Sequence, residues 1–186
     1  MSQPKLGNPA VVGLAGFSLT TLLFQFYNLG LCGMGPVFAL AVVFGGLAQF
    51  IAGLLEHRTG NNFGFCSFTG FGAFWLCFAA IQLGNHYRLF ESSARDMGCF
   101  MLVFTLYAFV LWVGSLKIDK AMFINFSLLL VGFVLVDLAS FGFAFLAKAA
   151  AGALILCALC AMYMLAHILF LELFGRDVLP VGEPVL

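Results

Sequence analysis

Polar residues are scarce along this chain, and the stretches without them mark out its elements. Six apolar runs cover residues 9–29, 36–55, 63–83, 97–116, 121–145 and 149–174. Each has about the 20 residues a helix needs to cross a bilayer. The links are short: "GLCGMG", "EHRTGNN", "GNHYRLFESSARD", "KIDK" and a tight turn around Lys148. None can hold an extramembrane domain. The pattern predicts an all-α integral membrane fold, with residues 1–186 forming one compact bundle of six transmembrane helices. The first run continues past the length of a signal-peptide core without a small-residue cleavage site, so it is expected to be the first span.

The few polar side chains inside these runs carry most of the information, because hydrocarbon drives them toward the bundle interior or a wet cavity. In the first run Ser18, Thr21, Gln25 and Asn28 recur at three- and four-residue steps, a single helical face with Phe17 at its edge. That register favours a lined pathway over simple interhelical bonding. Gln49 adds an amide at membrane depth in the second run. In the third, Phe63, Gly64, Ser67, Gly70, Phe71 and Phe74 share a face of rings, a hydroxyl and bare backbone, which suits a narrow and mostly dry passage. Phenylalanine core packing explains the same face more plainly.

Helix starts add a second theme. Asn8 before Pro9 reads as an N-cap followed by proline at the first helical position. Asn61 and Asn62 stand before the third run, and either can cap it. Helices one and three begin on the same side, so their N–H groups and positive dipole ends form an anion-friendly vestibule without a fixed cation. The middle of the first five runs contains no lysine, arginine or histidine, and His167 lies in the sixth. Burying a bare carboxylate costs tens of kcal/mol by Born estimates, and hydroxyls and amides offset this only in part. The expected solute is therefore small, partly hydrated or carried with its proton, and weakly held. Asp137, the one acid well inside a run, is a candidate proton relay, a vestibule group or a partner of Lys148.

Composition agrees with the pattern. The chain is 63% hydrophobic and 9% charged, with a mean hydropathy of +1.11. Soluble domains carry about 25% charged residues. Eight basic and eight acidic residues balance, leaving no footprint for nucleic acid. With the N-terminus inside, Lys5, Arg58, Lys117, Lys120 and Arg176 are cytoplasmic and Arg88, Arg95 and Lys148 external, so both termini are expected in the cytoplasm. Glycines such as Gly13, Gly16, Gly45, Gly46 and Gly53 are expected to let helices pack closely. The two three-helix halves show no convincing repeat. Cys157 and Cys160 form a lone CxxC in apolar surroundings, which reads as packing rather than a metal or redox site. No cofactor or metal is expected.

"NPAVVGLAGFSLTTLL" resembles the N-terminal signature of the acetate uptake transporters, or succinate–acetate permeases, usually Asn-Pro-Ala-Pro-Leu-Gly-Leu; Val11 and Val12 here replace Pro-Leu. "GGLAQFIAGLLEHRTGNNFGFCSFTGFGAFW" (residues 45–75) and "FGRDVLPVGE" (residues 174–183) also resemble that family. The resemblance implies a homohexamer in the inner (plasma) membrane, with a pathway in each six-helix protomer. It further implies uptake of acetate and related small carboxylates, succinate among them, coupled to protons and without enzymatic activity. A hydrophobic constriction of Phe, Tyr and Leu carries over to Phe17, Phe71 and Val131, so that a hydroxyl is lost at Phe71 and bulk at Val131. Substrate contacts carry over to Thr21 and Gln49.

Other readings differ in what they predict. An aquaporin-like channel needs two Asn-Pro-Ala motifs, and one occurs. A passive small-anion channel of the formate or nitrite type is the main alternative. A quinone-linked dithiol enzyme would depend on Cys157 and Cys160, and a structural scaffold would leave the polar stripe of the first helix without a purpose.

Overall fold

The computed structural model describes residues 7–186, so Lys5, counted above among the cytoplasmic charges, lies outside the described residues. Among the described residues, six helices are long and apolar enough to cross a membrane: α1 (Ala10–Asn28), α2 (Met34–Thr59), α3 (Asn62–His86), α4 (Ala94–Ser115), α5 (Lys120–Ser140) and α6 (Ala144–Phe174). The chain is a multi-pass membrane protein. Around the bundle the helices follow the order α4, α5, α6, α1, α2, α3, with α3 returning against α4. Side chains such as Leu106, Val110 and Leu173 point outward, as apolar surroundings permit.

Helix starts are set by local chemistry. Asn8 Oδ1 accepts the Ala10 N–H at 3.0 Å, and Pro9 already has helical angles (φ −65°, ψ −24°). Asn61 caps α3 by accepting the Gly64 N–H at 3.0 Å; Asn62 is the first helical residue and exposed, which corrects its reading as an alternative cap. Ser93 and Asp96 form a reciprocal capping box on α4, and Asp119 caps α5 through the Met122 N–H at 2.7 Å.

Two departures from regular spans matter. Residues Val43–Ala48 of α2 form a π-helical turn. One extra residue in a turn rotates everything after it by about 100°, and Gln49 follows directly. A Cβ on Gly16 would lie 2.6 Å from the Phe44 carbonyl oxygen and 3.1 Å from Gln49 Cβ, so α1 and α2 meet backbone to backbone at this turn. The second departure corrects the fifth span and the turn placed at Lys148. Helix α5 ends at Ser140, and the chain reverses at Gly142, whose φ of 127° suits glycine. Lys148 is inside α6. Phe141, Phe143 and Phe145 are as apolar as the flanking helices, so hydropathy alone ran through the turn.

Candidate functional site

Two cavities lie end to end in the bundle. One, of about 250 Å³, opens where α1, α3 and α5 begin. The other, of about 390 Å³, is toward their far ends. Phe17 of α1, Phe71 of α3 and Leu129 of α5 line both cavities and form the wall between them. All three are buried, and the Phe17 and Phe71 rings lie 5.9 Å apart at 53°. Phe71 is held in turn by Tyr107, Phe126 and Phe133, with ring centroids 5.8, 6.4 and 6.3 Å away. Such edge and tilted contacts fix the ring in place.

Val131 does not belong to this wall. It is 53% exposed and lines neither cavity. Two residues turn a helix by about 200°, so Val131 faces outward while Leu129, 1% exposed, faces the cavities. A leucine therefore stands where the resemblance led to Val131, two positions earlier along α5.

The first cavity carries neutral polar groups. Gln49 is 0% exposed, and neither its Nε2 nor its Oε1 has a hydrogen-bond partner among the described residues. Ser67 Oγ is likewise unpartnered, and both residues line this cavity. Asn125 lines it too, its Oδ1 taking the Cys157 thiol at 3.5 Å. Cys157 and Cys160 otherwise donate to backbone oxygens of Asn125 and Ala121, as packed thiols do. The mouth is formed by Ala10, Asn61, Gly64, Asp119 and His167. Asn8 and Asn62 do not reach it, so of the three expected vestibule asparagines only Asn61 lines the cavity. Buried Glu56 holds Asn61 in place, its Oε2 accepting Asn61 Nδ2 at 2.8 Å and Thr59 Oγ1 at 3.3 Å. Asp119, just outside the membrane segment, has its carboxyl raised above the ordinary range by burial, against the opposing pull of the Met122 N–H and His167.

The second cavity takes Thr21, Gln25 and Asn28 from the stripe on α1. Asn28 Nδ2 donates to Gln25 Oε1 at 2.9 Å, and Gln25 Nε2 to the Thr21 carbonyl at 3.3 Å, a chain running down one face. Ser18 departs from the expectation. It is fully buried, donates to the Ala15 carbonyl at 3.3 Å and lines neither cavity. It lies about 100° from Phe17 around the helix, on the far edge of the stripe.

Asp137 also lines neither cavity. Its Oδ2 accepts Thr105 Oγ1 of α4 at 2.7 Å, while Lys148 is exposed to its surroundings. Eight residues past Leu129 place Asp137 about 80° off the cavity face, turned toward α4. The reading that paired it with Lys148 is corrected.

Leu129, Asn125, Asp119 and Glu56 escaped the sequence reading. Asn125 had a usable signal, a lone amide in an apolar run like Gln49. Leu129 had none, since leucine is common on every face.

Comparison with known proteins closes the argument. A profile of the GPR1/FUN34/yaaH family matches residues 1–172. The succinate-acetate/proton symporter SatP of Escherichia coli strain K12 is 35% identical over 98% of this chain and 99% of its own length. Ammonia transport outward protein 2 of Saccharomyces cerevisiae is 36% identical over 74% of this chain and 52% of its own. The solved structure of the bacterial acetate channel SatP matches with a TM-score of 0.92 at 35% identity, covering 96% of this chain and 100% of that one. The shared helix path and the length of these matches identify the chain as a member of the GPR1/FUN34/yaaH family.

Proposed function

We propose that this protein takes up acetate and related small carboxylates across the membrane through the two cavities and the wall between them. The observation that carries the reading is Gln49, a fully buried amide without a hydrogen-bond partner among the described residues, beside the Phe17, Phe71 and Leu129 wall. A carboxylate reaching this point meets donors at Gln49 Nε2 and Ser67 Oγ, and Thr21 and Gln25 on the other side. Neutral donors hold an anion weakly enough to release it, which permeation requires. Phe17, Phe71 and Leu129 strip water and admit short chains.

The chain works as one six-helix unit, and the outward apolar side chains of α4 and α6 suit assembly of copies into a hexamer in the plasma membrane, with both termini cytoplasmic. Transport, not catalysis, is the activity. The names of the SatP relatives support the substrate class and the proton, while the yeast relative's name makes ammonium a necessary control.

A second reading, passive anion flow, draws on the wall itself. The three described residues that line both cavities, Phe17, Phe71 and Leu129, carry no titratable group, and Asp137 is turned away. Uptake of labelled acetate into proteoliposomes, with and without an imposed pH gradient, decides between the two. Accumulation above equilibrium only with the gradient supports proton coupling, and equilibration alone supports the channel. Absence of acetate flux, with ammonium or formate carried instead, refutes the substrate assignment.

A further inference from the structure

One residue of the C-terminal segment, beyond the stretch that the family profile matches, lines the first cavity. Gly175 ends α6 in the left-handed region (φ 66°), and the segment after it folds back over the ends of three helices. Tyr163 Oη donates to the Pro180 carbonyl at 2.8 Å, and His167 Nδ1 lies 2.7 Å from the Leu179 carbonyl and 3.3 Å from Asp177 Oδ1. The Ala121 N–H donates to the Val181 carbonyl at 2.9 Å. Farther on, the Val185 and Leu186 N–H groups both donate to Leu116, at 3.0 and 3.1 Å. Chain ends fray unless tied down. This one is tied to α6, to the start of α5 and to the turn after α4.

The ties place one side chain where it matters. Val181 lines the first cavity together with Asn61, Gly64, Asp119 and His167. The six helices do not complete this mouth by themselves. We propose that the C-terminal strap is its outer wall, and that Val181 is a size-determining residue for solutes crossing from this side. The inference rests on the reading that the two cavities carry small carboxylates. A branched apolar side chain beside the Asn61, Asp119 and His167 of this mouth limits width without binding the anion. A two-carbon acid passes it and a longer chain meets it. Selection is then made twice, by Val181 at the mouth and by Phe17, Phe71 and Leu129 at depth.

The test uses full-length protein in proteoliposomes, comparing initial uptake of labelled acetate and butyrate. One methylene more or less in an apolar pocket changes discrimination by about tenfold or more. Val181→Ala is expected to raise the butyrate-to-acetate ratio by about that factor, and Val181→Phe to lower it. Tyr163→Phe removes a tie on the strap without touching the cavity lining, so it should shift the ratio in the same direction as Val181→Ala, by less. All three changes are mild enough for folding to be checked by elution as the native oligomer. Wild-type ratios in Val181→Ala and Val181→Phe, while Phe17→Ala alters the ratio, would overturn the strap's role and leave the corridor standing. Absence of acetate uptake by the unaltered protein would overturn both.

Discussion

Replacing Gln49 with leucine separates a binding role from a packing role, because the two predict opposite signs. Gln49 is 0% exposed, and neither end of its amide bonds to any described residue. A buried polar group left unpaired costs about 1–3 kcal/mol. Leucine is close to glutamine in volume and has nothing to satisfy, so Gln49→Leu should leave the folded protein as stable as before or more so. A hydrogen bond to a charged group contributes about 1.5–3 kcal/mol. If Gln49 donates to the carboxylate, its loss should weaken the apparent affinity for acetate by roughly 10- to 100-fold, at about 1.4 kcal/mol per tenfold. The assays are thermal unfolding in detergent and the concentration dependence of acetate uptake in proteoliposomes. A variant that melts earlier yet keeps its half-saturation concentration would refute the reasoning, making Gln49 a strut between α1 and α2.

Other substitutions probe the remaining parts. Leu129→Ala should cost about 2–5 kcal/mol as a buried leucine truncation and admit bulkier carboxylates, whereas Val131→Ala on the outer face should stay within about 0.5 kcal/mol with an unchanged substrate profile; competition of labelled acetate uptake by longer acids reads both. Asp137→Asn keeps an acceptor for Thr105 and should leave the pH dependence of uptake unaltered, so a flattened profile would restore Asp137 as a relay. Asp119 has a raised carboxyl, so it stays neutral to higher pH than an ordinary aspartate, and the stability it contributes is present at low pH and lost as pH rises through its folded value. The charge gained there should slow anion access from that mouth. Asp119→Asn lacks this step, and the difference between wild-type and variant pH profiles isolates it from protonation of acetate itself.

How much of this was legible without coordinates follows from what each residue type reveals. Number and type of helices were written in the hydropathy, because only an internally bonded helix can carry some 20 apolar residues through hydrocarbon. The stripe Thr21, Gln25 and Asn28 was legible for the same reason: a polar group at that depth has few places to go. So was Asn61 as a cap, since an asparagine before an apolar run has a local mechanism independent of the rest of the fold; at the first helix Pro9 takes the cap position and Asn8, one residue earlier, accepts the Ala10 N–H. Gln49 stood out as a lone amide, and Phe17 as the neighbour of the stripe.

What lay beyond the sequence was decided by rotation and by distant contacts. Leu129 and Val131 are chemically interchangeable on paper, and only the seating of α5 against α4 and α6 puts one at the wall and the other outside. Ser18 has the spacing of a lining residue, yet the angle at which α1 packs carries it past the cavity edge. The π-helical turn that aims Gln49 leaves no mark in hydropathy, and the reversal at Gly142 is hidden by the phenylalanines around it. The fate of Val181 depends on hydrogen bonds to Leu116, Ala121, Tyr163 and His167, far away along the chain. Periodicity states which residues must avoid lipid; the relative rotation of packed helices and the path of the tail determine which of them line the cavities.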